Sequence, residues 1–288
     1  RHAWRQGPHF ALAIVTAAIF TFAAESLVIR LTGEYYYNRF LVMLCLGGSS
    51  GGFGVTVSCG DHSTCVPLAV PVMESLIIYA AMLTTDRLGL PWAARSPLDG
   101  LLALSIDFGM DPIVSRSTFC AVSPEMAPII PPVGVGLWVW KLDSAVEAVA
   151  WIDLNNYAGW FLGIAVFSFT QRLLRQRVPP GSRGLAGDIW MAVISLPLTM
   201  LFFAPLVLAY RFIVQRHILP EWILFSALIG VSLAVSIAYG RRANRDNPVD
   251  PVTLAVPAFL YLYALVTLVV FLALKLVVAP RLSDYRRS

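Results

Sequence analysis

Charge is what this chain has least of. Of its 288 residues only 13% are charged, while 58% are hydrophobic; a soluble globular chain carries roughly 25% charged residues. That shortage excludes a water-soluble fold and points to an integral membrane protein. Histidine is scarce as well. The four residues, at 2, 9, 62 and 217, all sit outside the expected membrane cores, so they cannot form the ring of buried ligands that a membrane desaturase, haem or chlorophyll site favours. The four cysteines, at 45, 59, 65 and 120, are too few and too irregular for a zinc site. There is no glycine-rich phosphate loop followed by a lysine and no pair of histidines at helical spacing. These residues therefore offer no metal or phosphate-loop motif. No period of 20 to 50 residues repeats, which argues for one domain over residues 1–288. The net charge of +4 comes mostly from arginines between apolar runs. It fits topology signals and lipid headgroup contacts better than a nucleic-acid footprint.

What the chain has in abundance is apolar runs near the ~20 residues that a membrane-spanning helix needs. They cover residues 10–29, 67–85, 98–114, 157–174, 189–210, 222–239 and 252–278. The fold class read from them is all-α, a polytopic transmembrane helix bundle of about seven spans. Six or eight remain open because residues 40–57 begin apolar and then turn into a glycine-rich stretch from Gly47 to Gly54. Such glycine density disfavours a regular helix and reads as a loop or re-entrant turn. The chain opens on Arg1, not Met, so the numbering is expected to omit an N-terminal piece or to follow processing. No charged n-region with a cleavable small-residue site is visible, and the first run stays as a span.

Arginines set the orientation. Arg1 and Arg5 precede the first span, Arg87 and Arg95 follow the second, Arg172, Arg175, Arg177 and Arg183 follow the fourth, and Arg241, Arg242 and Arg245 follow the sixth. With seven spans all four clusters fall on one side, which the positive-inside rule makes the cytoplasm. The N-terminus is thus expected to be cytoplasmic, in a bacterial inner membrane. Arg281, Arg286 and Arg287 then lie outside, against the rule. Cys59, Cys65 and Cys120 fall on the outer side, where oxidation is allowed. A Cys59–Cys65 bridge would close a tight loop, Cys120 could take either partner, and free thiols are a third outcome.

The chemistry is expected in residues 98–112, where Asp107 and Asp111 stand four apart on one helix face. Two carboxylates there repel each other inside hydrocarbon, so at least one is expected to hold its proton at neutral pH. The structural alternative is that both mark a helix end and pair with Arg116. Glu25 and Glu74 lie in the first two spans, which puts the polar interior in the N-terminal half. The later spans, within residues 186–278, read as scaffold or interface. Tyr35, Tyr37, Trp138, Trp140 and Trp160 are either an aromatic belt or the walls of a cavity whose π faces stabilise a cation. Asn156 could orient a carboxylate through its amide, or merely cap the helix that follows.

The order of these pieces resembles the bisanhydrobacterioruberin-hydratase-like family of polytopic carotenoid hydratases. The matching residues are Ala24-Glu25, Gly33, Tyr35 to Tyr37, Val66-Pro-Leu68, Asp107-x-x-x-Asp111-Pro112, Trp138-x-Trp140 and Asn156-Tyr-Ala-Gly-Trp160. They cover roughly residues 20–175. The resemblance implies acid-catalysed addition of water to the terminal isoprenoid double bond of an acyclic carotenoid. Asp107 and Asp111 would then be the catalytic pair, with Glu25 or Glu74 as a further acid. The aromatic residues and Asn156 would bind substrate, with no cofactor. Two stretches, 47–65 and 116–137, are longer than the resemblance leads one to expect. They keep open a non-catalytic, carotenoid-binding or structural subunit of a photosynthetic or respiratory membrane complex. A membrane carotenoid cyclase, which needs the same acid but excludes water, is the third reading.

Overall fold

A computed structural model describes residues 2–37, 42–45, 65–115, 138–140, 148–149, 152–179, 182, 184–240, 251, 254–262, 265–266 and 269. Within them the chain is mostly helical: α1 (His2–Gln6), α2 (Pro8–Thr32), α3 (Ala69–Arg87), α4 (Trp92–Val114), α5 (Leu154–Arg177), α6 (Gly184–Gln215) and α7 (Glu221–Gly240), followed by helical residues 254–262. Four helices are long and apolar enough to cross a membrane, namely α2, α3, α6 and Glu221–Tyr239 of α7. Three aspartates in α4, and Asn155, Asn156, Gln171 and Arg172 in α5, make those two helices less apolar.

Local signals explain the helix ends. α2 starts with proline in its first turn and stops at Gly33, whose φ of 63° lets its N–H turn back to the Ile29 carbonyl. α3 and α4 are joined by a short turn through Gly89, at φ 66°, and Pro91, the residue preceding α4. That proline starts α4 six residues before the expected Leu98. α5 also begins early, at Leu154, because the side chain of Asp153 accepts the Asn155 N–H at 2.8 Å. The alternative of Asn156 as the cap is thereby excluded: the cap is Asp153.

Helix α4 is central. It packs on α3, α5 and α7, while α2 packs on α3 and α6. At Gly100 a Cβ would come within 2.9 Å of the Phe161 carbonyl, so only glycine allows α4 and α5 to approach this closely. The core between helices is Ala17, Phe20, Ile77, Ile78, Ala103, Ile164, Phe167 and Phe203, with Leu260 inserted from the last helical stretch. Burial declines outward: 61% of the apolar window of α3 is buried but only 6% of that of α7. α6 and α7 therefore present most of their apolar surface away from the bundle.

Among the described residues three two-stranded antiparallel ladders connect helix ends, a detail the all-α reading did not contain. β1 (Tyr35–Tyr37) pairs with β4 (Trp138–Trp140), β2 (Met43–Cys45) with β3 (Cys65–Pro67), and β5 (Ala148–Val149) with β6 (Ile152–Asp153). Part of the ambiguous 40–57 segment is thus strand β2. Its glycine-rich remainder lies outside the described residues, as do Cys59, Cys120, Arg116, the Arg241 to Arg245 cluster, the C-terminal arginines and the end of the seventh run. Cys65 is disulfide-bonded, and the residue opposite it in the ladder is Cys45.

At the opposite end of the helices the structure corrects the reading of Arg172. It is no loop arginine but is buried in α5 at 4% exposure. There it donates to Asp99, to Asp86 at 3.0 Å and to Thr85 Oγ1 at 2.8 Å. Asp99 is fully buried and also accepts Thr85 Oγ1–H at 2.5 Å. This cluster ties α3, α4 and α5 together.

Candidate active site

Alternation along two strands builds the roof of the site. Residues i and i+2 of a strand share a face, so Tyr35 and Tyr37 point the same way from β1, and Trp138 and Trp140 do so from β4. The register sets Tyr35 opposite Trp140 and Tyr37 opposite Trp138, with ring centroids 4.6 and 6.0 Å apart. The four rings stand together over the helix ends.

Below them lie the acids. Glu25, on α2, accepts hydrogen bonds at one carboxyl oxygen from both the Tyr35 hydroxyl and the Tyr37 hydroxyl, the latter at 2.8 Å. Burial, and next the charge of Glu25, push the Tyr35 and Tyr37 phenols up, so both remain O–H donors. On α4, Asp107 and Asp111 occupy one face as their spacing requires. The Asn156 amide bridges them, donating to Asp111 Oδ2 at 3.0 Å and to Asp107 Oδ2 at 3.5 Å. The other oxygen of Asp111 accepts the Trp138 indole N–H. Glu74, on α3, is 6% exposed, and its Oε2 has no hydrogen-bond partner among the described residues.

All ten residues singled out in the sequence line one cavity of about 310 Å³: Glu25, Glu74, Asp107, Asp111, Tyr35, Tyr37, Trp138, Trp140, Asn156 and Trp160. The rest of its wall is apolar and includes Met73, Ile77, Met110 and Val114. No cation lines the cavity among the described residues. Three or more acidic, cysteine or histidine side chains poised around a metal position are likewise not found among them.

Sequence reasoning missed one part of this cavity and one buried acid at the opposite end of the helices. Phe259 and Leu260, from a stretch taken as scaffold, close one side of the cavity. Phe259 is 58% exposed, so this wall borders the outside of the bundle, and nothing in an apolar run marks it as part of a site. The second omission is Asp99, two turns before Asp107 on the same helix. Its signal was weak, because Asp99 stood at the edge of the expected 98–114 run, although Arg172 lay inside the 157–174 run.

Chemically, the cavity sets two kinds of carboxyl side by side. Asp111 and Glu25 each receive two neutral donors, the arrangement that stabilises a carboxylate. Asp107 has one long contact and Glu74 Oε2 has none. None of the family models, curated proteins or solved structures compared with the chain matches it.

Proposed function

We propose that the protein is a carotenoid hydratase-like enzyme, adding water to the terminal isoprenoid double bond of an acyclic carotenoid. The observation that carries this reading is a cavity with four carboxyls, an aromatic roof, no cation among its described lining and one apolar wall exposed at Phe259. Four carboxyls in so apolar a space cannot all be ionised. The poorly solvated members, Asp107 and Glu74, keep protons, while Asp111 and Glu25 are carboxylates.

The reaction then needs no cofactor. The O–H of Asp107 gives its proton to the less substituted alkene carbon, and the π pair becomes the new C–H bond. The tertiary cation left behind faces the Asp111 carboxylate and the Tyr35, Trp138 and Trp140 rings. Water oxygen bonds that carbon, and the proton it releases passes to a carboxylate, restoring the proton count. A cavity of about 310 Å³ holds only the end of a C40 chain, so the rest of the polyene extends past Phe259 into lipid.

Membrane placement belongs to the same proposal: a seven-span protein of a bacterial inner membrane with its N-terminus in the cytoplasm. Arg87, Arg95, Arg175 and Arg177 lie at one end of the bundle, and the oxidised Cys65 lies in the ladders at the other. A second reading, a carotenoid-binding or structural subunit of a larger membrane complex, draws on the outward apolar faces of α6 and α7. Incubating protein in lipid nanodiscs with lycopene in ¹⁸O-labelled water tests the first. A labelled tertiary alcohol from wild type, lost in Asp107→Asn and Asp111→Asn, is the expected result. Unchanged lycopene with every form refutes the hydratase, and a ring product makes the protein a cyclase.

A further inference from the structure

A second cavity, of about 100 Å³, lies against the first, and Glu25, Tyr35, Glu74, Trp140, Asn156 and Trp160 line both. The two differ at their rims. The larger is bordered by Phe259, Ala69 and Val70, apolar residues suited to lipid. The smaller is bordered by Glu34 and Arg211, a partly exposed ion pair joined at 2.8 and 2.9 Å. That pair sits just past the end of α2, on the side of the β ladders, where a membrane protein meets water. Three polar atoms of the smaller cavity's lining residues are buried and lack hydrogen-bond partners among the described residues: Glu74 Oε2, Asn155 Oδ1 and Trp140 Nε1. Buried polar groups in native proteins are matched by protein or by ordered water, and this cavity has room for several waters.

We infer that the smaller cavity is a water site, filled from the aqueous side past Glu34 and Arg211, which delivers water to the carboxyl cluster while the isoprenoid arrives from the lipid side. The inference rests on the hydratase reading for its use and on the two rims for its existence. Glu25 and Glu74, shared by both cavities, then stand where the two reactants meet. Water oxygen attacks the tertiary carbon from this side and its proton passes to Glu25. Gly159 on α5 lines the chamber, and a Cβ there would meet no atom within 4 Å. A Cβ at 159 therefore displaces nothing, so a larger side chain there starts from open space in the chamber, and it raises helix propensity.

The test uses hydroxyl-radical labelling of the protein in nanodiscs without carotenoid, read residue by residue by mass spectrometry. Trp160 and Tyr35 are expected to be labelled in wild type, at least threefold less in Gly159→Leu, and more in Arg211→Ala, which opens the rim. Equal labelling in wild type and Gly159→Leu, or none in wild type and Arg211→Ala alike, overturns the water site. With lycopene, Gly159→Leu is expected to lower the alcohol at least tenfold and to release a double-bond isomer, formed when the uncaptured cation loses a proton. If labelling falls but wild type makes no alcohol, the water site stands and the hydratase reading fails alone.

Discussion

Replacing Arg172 with methionine should unfold this protein at a much lower temperature. The guanidinium is 4% exposed and Asp99, which it faces, is fully buried. The substitution keeps much of the apolar stem but leaves Asp99 with neutral hydroxyl partners, Thr85 and Ser168, and removes a donor from Asp86. Breaking a buried ion pair by deleting one partner costs about 3–5 kcal/mol. With roughly 2–4 °C per kcal/mol for chains of this size, Tm should fall by about 6–20 °C. Removing both charges, in Arg172→Met with Asp99→Leu, should recover about half or more, because a buried pair replaced by apolar groups of similar volume is often neutral. Asp86 still pairs with Arg95 at 3.1 Å, which limits the residual loss. Tryptophan fluorescence during a thermal ramp in detergent reads both variants. A single variant within about 3 °C of wild type, or a double variant as unstable as the single, would refute the assignment of this cluster as a structural clamp.

Two further outcomes concern the other end of the helices. Asn156→Ala removes the amide that joins Asp107 and Asp111. A hydrogen bond to a charged group is worth about 1.5–3 kcal/mol, so the rate of alcohol formation should drop about 10- to 100-fold, with partial rescue by Asn156→Gln. An unchanged rate would remove Asn156 from the site. Asp153, the cap of α5, is pushed up to about 6, first by burial and then, against the Asn155 backbone N–H that lowers it, by the charge of Glu34. Its folded value exceeds its unfolded one, so its stabilising contribution is complete below about pH 4 and is lost as pH rises through about 6. The shift is worth at most about 3 kcal/mol. Asp153→Asn, which can still cap, should lack this component, and identical pH–Tm curves for the two proteins would rule it out.

Where the sequence was readable, one residue type forced one outcome. Asp107 and Asp111 had to share a face because four residues make about one helical turn, and Tyr35 with Tyr37 had to share one because a strand alternates. The bringing together of β1 and β4 was not readable. Their pairing spans about a hundred residues, and three-residue strands leave no periodicity to detect. The starts of α4 and α5 were misplaced for a related reason: Pro91 and Asp153 are local start signals, whereas hydrophobicity fades at helix ends. Arg172 was misread because arginines after apolar runs are ordinarily loop residues. Only the depth of Asp99 distinguishes it.

The chain also contains its own control for the meaning of the four carboxyls. It neutralises the fully buried Asp99 with Arg172 and pairs the partly exposed Asp86 and Glu34 with Arg95, Arg172 and Arg211, although the buried Asp153 and Glu221 accept from an Asn155 N–H and the Tyr210 hydroxyl. Glu25, Glu74, Asp107 and Asp111 lie as deep, yet the groups that answer them are phenols, an indole and an amide. Those donors stabilise a negative charge without cancelling it, and they leave Glu74 Oε2 unanswered. An arginine at position 156 or 138 would have quieted the cluster and fixed every acid as a carboxylate. A site that must hold a proton, release it to carbon and take another from water cannot accept that fixation. The absence of cations among the described lining of this cavity, set against the Arg172 that answers Asp99 at the other end, supports the proposal that protons move there.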